Sequence, residues 1–239
     1  MIEDSVPIVF IGTAASERRR RRALFEILTI YGLVLLVFWT PHPWQELLWI
    51  VAASAIAAIV FNSFDDLKQM GLCKRDASCS IWAVAAALLV AGVAVTLAGM
   101  LHTLHLPGTS ALFIRRCCIY AVWASIQQIV LQCFFLSRLL LVLGNSTWAA
   151  AATAMLFAVA HLPSPILTLV TLICGLASCL FFLRYRSLYP LAIAHAILGI
   201  SIAVTIPGPV DHNMRVGLAY LTYAEQPASM ANSAALPQP

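Results

Sequence analysis

Two histidines and three glutamines lie in stretches of this sequence that are otherwise almost wholly apolar. Gln127, Gln128 and Gln132 fall in Ser125-Ile-Gln-Gln-Ile-Val-Leu-Gln-Cys-Phe-Phe, His161 closes Phe157-Ala-Val-Ala-His, and His195 sits in Leu191-Ala-Ile-Ala-His-Ala-Ile-Leu-Gly199. An imidazole, with an unperturbed pKa of about 6.5, takes a proton or donates a hydrogen bond near neutral pH. A glutamine amide orients a water molecule but does not take its proton. At helical spacing Gln128 and Gln132 share a face, with Gln127 about 100° round from Gln128. Phe157 and His161 stack at i and i+4. Such a set suits proton transfer involving water, or a polar cavity that binds without reacting.

The elements that position these residues belong to a membrane. Of the 239 residues 62% are hydrophobic and 10% are charged, against about 25% charged in soluble domains. That excludes a soluble enzyme, a disordered chain, a collagen and a disulfide-rich secreted scaffold. Apolar runs long enough to span a bilayer fall at about 23–40, 44–61, 80–101, 117–137, 147–162, 164–183 and 188–206, given the roughly 20 residues a spanning helix needs. Breaks separate them at Pro41-His42-Pro43, the polar 62–79 loop, Pro107-Gly108, Gly144-Asn145-Ser146, Pro163-Ser164-Pro165 and Arg184 to Ser187. Barrel-type alternation is absent and lipid admits only helices or closed barrels, so the fold class is all-α, a polytopic bundle of about seven transmembrane helices. The expected organisation is a basic N-terminal segment over 1–22, a membrane domain over 23–206 and a polar, flexible tail over 207–239.

Charge orients the bundle. Arg18 to Arg22, Lys68, Lys74, Arg75, Arg138, Arg184 and Arg186 fall on one predicted side, and Arg115, Arg116 and Arg215 on the other. The excess of Lys and Arg marks the cytoplasmic face and places the N-terminus there, in a cell membrane of the bacterial inner-membrane type. The arginine run with its apolar sequel reads as an uncleaved signal anchor, because no small-residue cleavage site follows. No aromatic or basic surface accompanies the run, so nucleic acid is not an expected partner; the lipid bilayer and a peptide or protein chain are.

Polar side chains in lipid cost free energy unless they meet a partner or a cavity. Interhelical hydrogen bonding, worth under about 2 kcal/mol per contact, is the plain reading of each glutamine taken alone. Polar residues in three separate spans point instead to one shared cavity. His102 and His105 lie in the predicted loop before the fourth helix and His42 and His212 at predicted ends, where interfacial or solvated positions are expected. No cofactor is expected. Two histidines fall short of the three protein ligands of a catalytic zinc, and Cys133 beside Gln132 is the one nearby candidate for a third. The seven cysteines mostly sit in apolar runs as small hydrophobes. No glycine-framed nucleophile occurs, and a transporter reading lacks the internal repeats common in that class.

In order and spacing these residues resemble the CPBP family of intramembrane proteases, which includes the CAAX prenyl endopeptidases and bacterial proteins linked to bacteriocin processing and immunity. That family carries a Glu-Glu-x-x-x-Arg, a Phe-x-x-x-His and a His-x-x-x-Asn motif on separate membrane helices. Phe157 to His161 matches the second in full and His195 the histidine of the third, within a resemblance covering about 115–205. Gln127, Gln128 and Gln132 stand where the first motif has its two glutamates and arginine, and Gly199 where the third has asparagine. The resemblance implies an endopeptidase acting at or in the membrane, on prenylated or leader-bearing chains. His161, His195, Gln127 and Gln128 would be its catalytic set, and Phe157, Gln132 and Gly199 would shape the cavity.

The substitutions bear on the chemistry, because the family mechanism implies a glutamate as general base and histidine and asparagine as oxyanion donors. No acid lies between residues 77 and 210. Glu26 and Glu46 stand near helix ends, where pairing with a neighbouring cation is the plain reading. A histidine base or a catalytically silent relative that acts as a binding, immunity or scaffold protein therefore stands beside the usual mechanism.

Overall fold

A computed structural model describes residues 9–63 and 77–223. The chain is a helical membrane bundle, with no strand among the described residues. Helices α1 (Val9–Trp39), α2 (Trp44–Ser63) and α3 (Ala77–Met100) precede a continuous helical run made of α4 (Ser110–Gln128), a π-helical stretch Ile129–Leu136 and α5 (Ser137–Leu143). Then follow α6 (Ser146–Val159), α7 (Pro165–Tyr185), α8 (Tyr189–Thr205) and the short α9 (Gly208–Asp211) and α10 (Leu218–Leu221).

Four segments, Ser16–Trp39, Ile81–Met100, Ser110–Leu143 and Pro165–Tyr185, are long and apolar enough to cross a membrane. Three shorter apolar helices, Trp44–Ile59, Ser146–Val159 and Tyr189–Thr205, coincide with the other three expected segments. The bundle presents leucines, valines and tryptophans outward, among them Leu28, Leu89 and Trp148. In water such an exterior would be a liability, whereas lipid tails solvate it.

Three of the breaks read from the sequence lie at helix N-caps. Thr109 accepts from the Leu112 N–H and starts α4, Asn145 accepts from Thr147 and Trp148 N–H at α6, and Ser164 accepts from Leu167 N–H with Pro165 in the first turn of α7. Each supplies an acceptor to an end that lipid would leave unsatisfied. The fourth span starts seven residues before its expected residue 117, because the Thr109 cap carries Arg115 and Arg116 inside the helix. The 64–76 part of the polar loop, and the tail beyond 223, lie outside the described residues.

Small residues set the packing. Ala150, Ala154 and Ala158 recur every four residues on α6 and are buried, and Gly175 on α7 faces them: a Cβ there would lie 3.2 Å from the Phe157 ring and 3.5 Å from the Ala154 backbone. Without a hydrophobic drive in lipid, this close approach gives van der Waals contact between α6 and α7. Helix α8 packs on α3 and α4, and α1 on α2 and α5.

One end of the bundle gathers the α1–α2 turn, residues 103–105, Leu162 and residues 204–217. His105 N–H donates to the Val204 carbonyl at 3.0 Å, Thr103 Oγ1 to the Thr205 carbonyl at 3.2 Å, and Gly217 N–H to the Leu162 carbonyl at 2.8 Å. Residues 207–223, expected to belong to a flexible tail, instead fold across this end. Their hydrophobicity is too mixed to show a period, and their order comes from packing: Asp211 is buried, and Gly217, at φ 58°, lies so close to the Phe38 backbone that a Cβ would collide with it.

Elsewhere Glu26 joins Arg22 at 2.8 Å and Arg138 at 3.1 Å, with the Arg138 side chain 9% exposed and the Glu26 side chain 13%. This ties α1 to α5 and accounts for Glu26 as an ion-paired carboxylate. A paired charge away from water depends on its partner. Glu26→Gln is expected to cost about 3 kcal/mol, by the general cost of breaking such a pair, and to lower the thermal midpoint of the detergent-solubilised protein. An unchanged midpoint would show that the pair does not hold the bundle.

Candidate functional site

The π stretch carries the buried part of the site. Its wider turn accommodates one more residue per hydrogen bond than an α-helix, and such turns recur at functional sites. Gln128, the last residue of α4, and Gln132, within the π stretch, are both buried, Gln132 completely. Gln132 Nε2 donates to Gln128 Oε1 at 3.2 Å and to Ser178 Oγ on α7 at 3.0 Å. Ser178 Oγ in turn donates to the Gly175 carbonyl at 2.9 Å. At the other end of this chain Gln128 Nε2 lies 3.2 Å from His195 Nδ1 on α8.

Phe157 contacts both histidines. Its ring centroid is 4.8 Å from that of His161 and 5.9 Å from that of His195, edge to face in both cases. His161 follows the end of α6, where its Nδ1 is 2.7 Å from the Phe157 carbonyl. A carbonyl only accepts, so His161 Nδ1 carries the proton and Nε2 is left as an acceptor. The aromatic contact and the backbone bond together hold the ring in one orientation.

All three residues, with Gln127, Tyr120 and Gly199, line one cavity of about 1090 Å³. Gln132 stands behind Gln128, outside the lining, and acts through it. The walls are broadly aromatic, including Trp49, Trp82, Trp123 and Phe181. Glu46 and His42, 3.7 Å apart and largely exposed, lie at the α1–α2 turn, and Met214, Arg215 and Leu218 of the folded-over segment line the same end. The cavity thus runs from His195 within the bundle past His161 toward that end, which accounts for the different depths of the two histidines.

Residues 110–200 match the family model described as Type II CAAX prenyl endopeptidase Rce1-like. Over this stretch the chain is similar to the CAAX prenyl endopeptidases. The matched region contains Tyr120, the three glutamines, Phe157, His161, Ser178, His195 and Gly199. Helices α1 to α3 and the segment after α8 lie outside it, yet supply Phe38, Glu46, Trp49, Trp82 and Met214 to the cavity. No curated protein and no solved structure matches the chain.

Several contributors escape a reading of the sequence. Ser178 is one serine in an apolar run, and its value comes from facing the π stretch. Tyr120 gives no sequence signal, because its partner is an absence: a Cβ on Gly199 would collide with the Tyr120 phenol. The space beside Gly199, where the CAAX-type motif carries a longer side chain, is filled from α4. Cys133 is buried in the apolar core beside Phe134 and Leu136, and among the described residues no three His, Cys, Asp or Glu side chains gather to hold a metal. His212 is half-buried and stacked at 4.0 Å from Tyr220 and 4.7 Å from Tyr223, which makes it part of the folded-over segment.

Gly199→Ala is expected to destabilise the protein by about 1–3 kcal/mol, the usual range for overpacking. Tyr120→Ala should restore the thermal midpoint in the double variant. Lack of rescue would place the cost of the alanine elsewhere than the phenol.

The folded-over segment also carries a titrating group. Burial pushes the Asp211 carboxyl from an ordinary 3.8 up to about 6, opposed by backbone hydrogen bonds from Asn213 and Met214 and by His105. Because the folded state holds this proton more tightly, the group's favourable contribution is complete below about pH 4, declines as pH rises and is gone above about pH 6. Asp211→Asn is expected to flatten the pH dependence of the thermal midpoint over that interval. An unaltered slope would assign it to another group.

Proposed function

We propose that this protein is a membrane-embedded endopeptidase that hydrolyses a peptide bond within the cavity, using water as nucleophile. The observation that carries the reading is that His161 and His195 both pack against Phe157 in one cavity, inside the region that matches the CAAX-type family model. Water attacks the scissile carbonyl carbon while one imidazole takes its proton. The other imidazole donates a hydrogen bond to the resulting oxyanion, with Gln127 and Gln128 orienting the water. The protonated imidazole then delivers its proton to the leaving nitrogen as the C–N bond breaks. No metal or other cofactor enters this scheme.

The arginine-bearing end is the cytoplasmic one by the positive-inside rule, which places the N-terminus in the cytoplasm and the mouth of the cavity on the opposite face. Aromatic walls suit an apolar or lipid-modified peptide segment, and the substrate class is a prenylated or leader-bearing chain at the membrane. A second reading, a catalytically silent relative that binds such a chain as an immunity or scaffold protein, is favoured by one observation: glutamines occupy the positions of the family's glutamates.

Purified protein in detergent, offered a peptide library with C-terminally prenylated members, separates the two. Under the peptidase reading wild type cleaves and His161→Ala loses about 100-fold or more, the typical contribution of acid–base catalysis. Intact recovery of bound peptide from wild type, with cleavage by a Gln127→Glu/Gln128→Glu double variant, would sink the peptidase reading and establish the silent one.

A further inference from the structure

The hydrogen-bond chain that joins the cavity-lining Ser178, Gln128 and His195 through Gln132 has a direction. The Gly175 carbonyl can only accept, so the Ser178 hydroxyl that bonds to it at 2.9 Å spends its proton there. Ser178 Oγ is then an acceptor toward Gln132, whose amide nitrogen has two protons and two partners, Ser178 Oγ at 3.0 Å and Gln128 Oε1 at 3.2 Å. With Gln128 Oε1 thus facing Gln132, its amide nitrogen faces His195 Nδ1 at 3.2 Å. An amide nitrogen only donates, so His195 Nδ1 must be the unprotonated nitrogen.

Reversing every bond would give the opposite result, and the balance of satisfied groups decides between them. In the direction described, one buried side-chain oxygen of this chain is left over, Gln132 Oε1. In the reverse direction that oxygen would accept from both neighbours, and the Gln132 amide nitrogen would take the position that has no partner. Two buried N–H donors would then replace one unpartnered acceptor, and unpartnered donors are the rarer and costlier defect in native interiors.

We propose that the one-way chain from the Gly175 carbonyl through Ser178, Gln132 and Gln128 fixes His195 with its proton on Nε2. His195 is thereby the hydrogen-bond donor of the site, and His161, protonated on Nδ1 by its bond to the Phe157 carbonyl, is the acceptor. Ser178 and Gln132 are positioning residues that act through Gln128. The assignment of chemical roles rests on the peptidase reading: His161 Nε2 takes the proton of water, and His195 Nε2–H stabilises the oxyanion. A glutamate at 128 would do the reverse, since a carboxylate accepts from Nδ1–H and leaves Nε2 bare.

Long-range ¹H–¹⁵N correlation spectra of histidine-labelled protein in detergent test this without reference to turnover, with His195 assigned by its disappearance in His195→Gln. The expected wild-type spectrum shows the Nε2–H form at His195 and the Nδ1–H form at His161. Gln128→Glu should convert His195 to Nδ1–H, and Ser178→Ala should release the chain and give a mixture of the two forms. A wild-type His195 with its proton on Nδ1 would overturn the proposal, as would a spectrum unmoved by both substitutions. Turnover measured on the same samples keeps the two ideas apart. Cleavage with His195 in the Nδ1–H form would leave the peptidase reading standing with the roles exchanged, and the Nε2–H form without cleavage would leave the polarity standing alone.

Discussion

A side-chain amide in the middle of a membrane bundle has no water to fall back on, so its partners must be built into neighbouring helices. Gln132 meets that requirement by donating to Ser178 on α7 and to Gln128 at the end of α4, and Gln128 extends the connection to His195 on α8. Three helices are thereby joined through two amides and a hydroxyl. The small-residue contact between Gly175 and the Ala154 face of α6 brings Phe157 and His161 into the same neighbourhood. Polar satisfaction and close packing are thus two aspects of one arrangement: the glycine that admits the aromatic ring also provides the carbonyl on which the polar chain terminates.

Much of this architecture is legible in the sequence. Hydropathy marks the spans because lipid demands long apolar runs, and Pro, Gly, Asn, Ser and Thr mark the turns because helix ends need caps and chain reversals. The polar stripe and the two histidines stand out for the same reason, being costly in lipid unless they meet each other. Three features are not legible. Hydropathy is indifferent to whether a turn holds one residue more, so the π stretch leaves no trace. A glycine in place of asparagine reads as a deletion, and only the structure reveals the Tyr120 phenol in the vacated space. The segment after α8 is too short and too mixed in character to show a period, and its order comes from contacts with the α1–α2 turn and Leu162.

The cavity is a composite. Its polar floor lies within the CAAX-like region, while much of its aromatic wall and its mouth come from α1 to α3 and the segment after α8. The chemistry of the floor can therefore remain fixed while the shape of the approach varies with elements outside the matched region. Trp49 and Trp123, one outside and one inside that region, meet edge to face at 5.3 Å, so the two parts form a single wall.

The helical run from Ser110 to Leu143 has two appointments to keep: near its middle Gln128 must face His195, and near its end Arg138 must face Glu26. A uniform α-helix fixes the angle between two such positions once their separation is given, at about 100° per residue. The π stretch between them acts as a phase adjuster, taking up an additional residue without lengthening the helix by a full α step. Deleting a single residue there would rotate one appointment away from its partner while leaving hydropathy, length and composition almost untouched. The tolerance of this run to insertion and deletion is accordingly governed by angle and not by span, and the two ends of one continuous helix answer to different helices as if they were separate parts geared together.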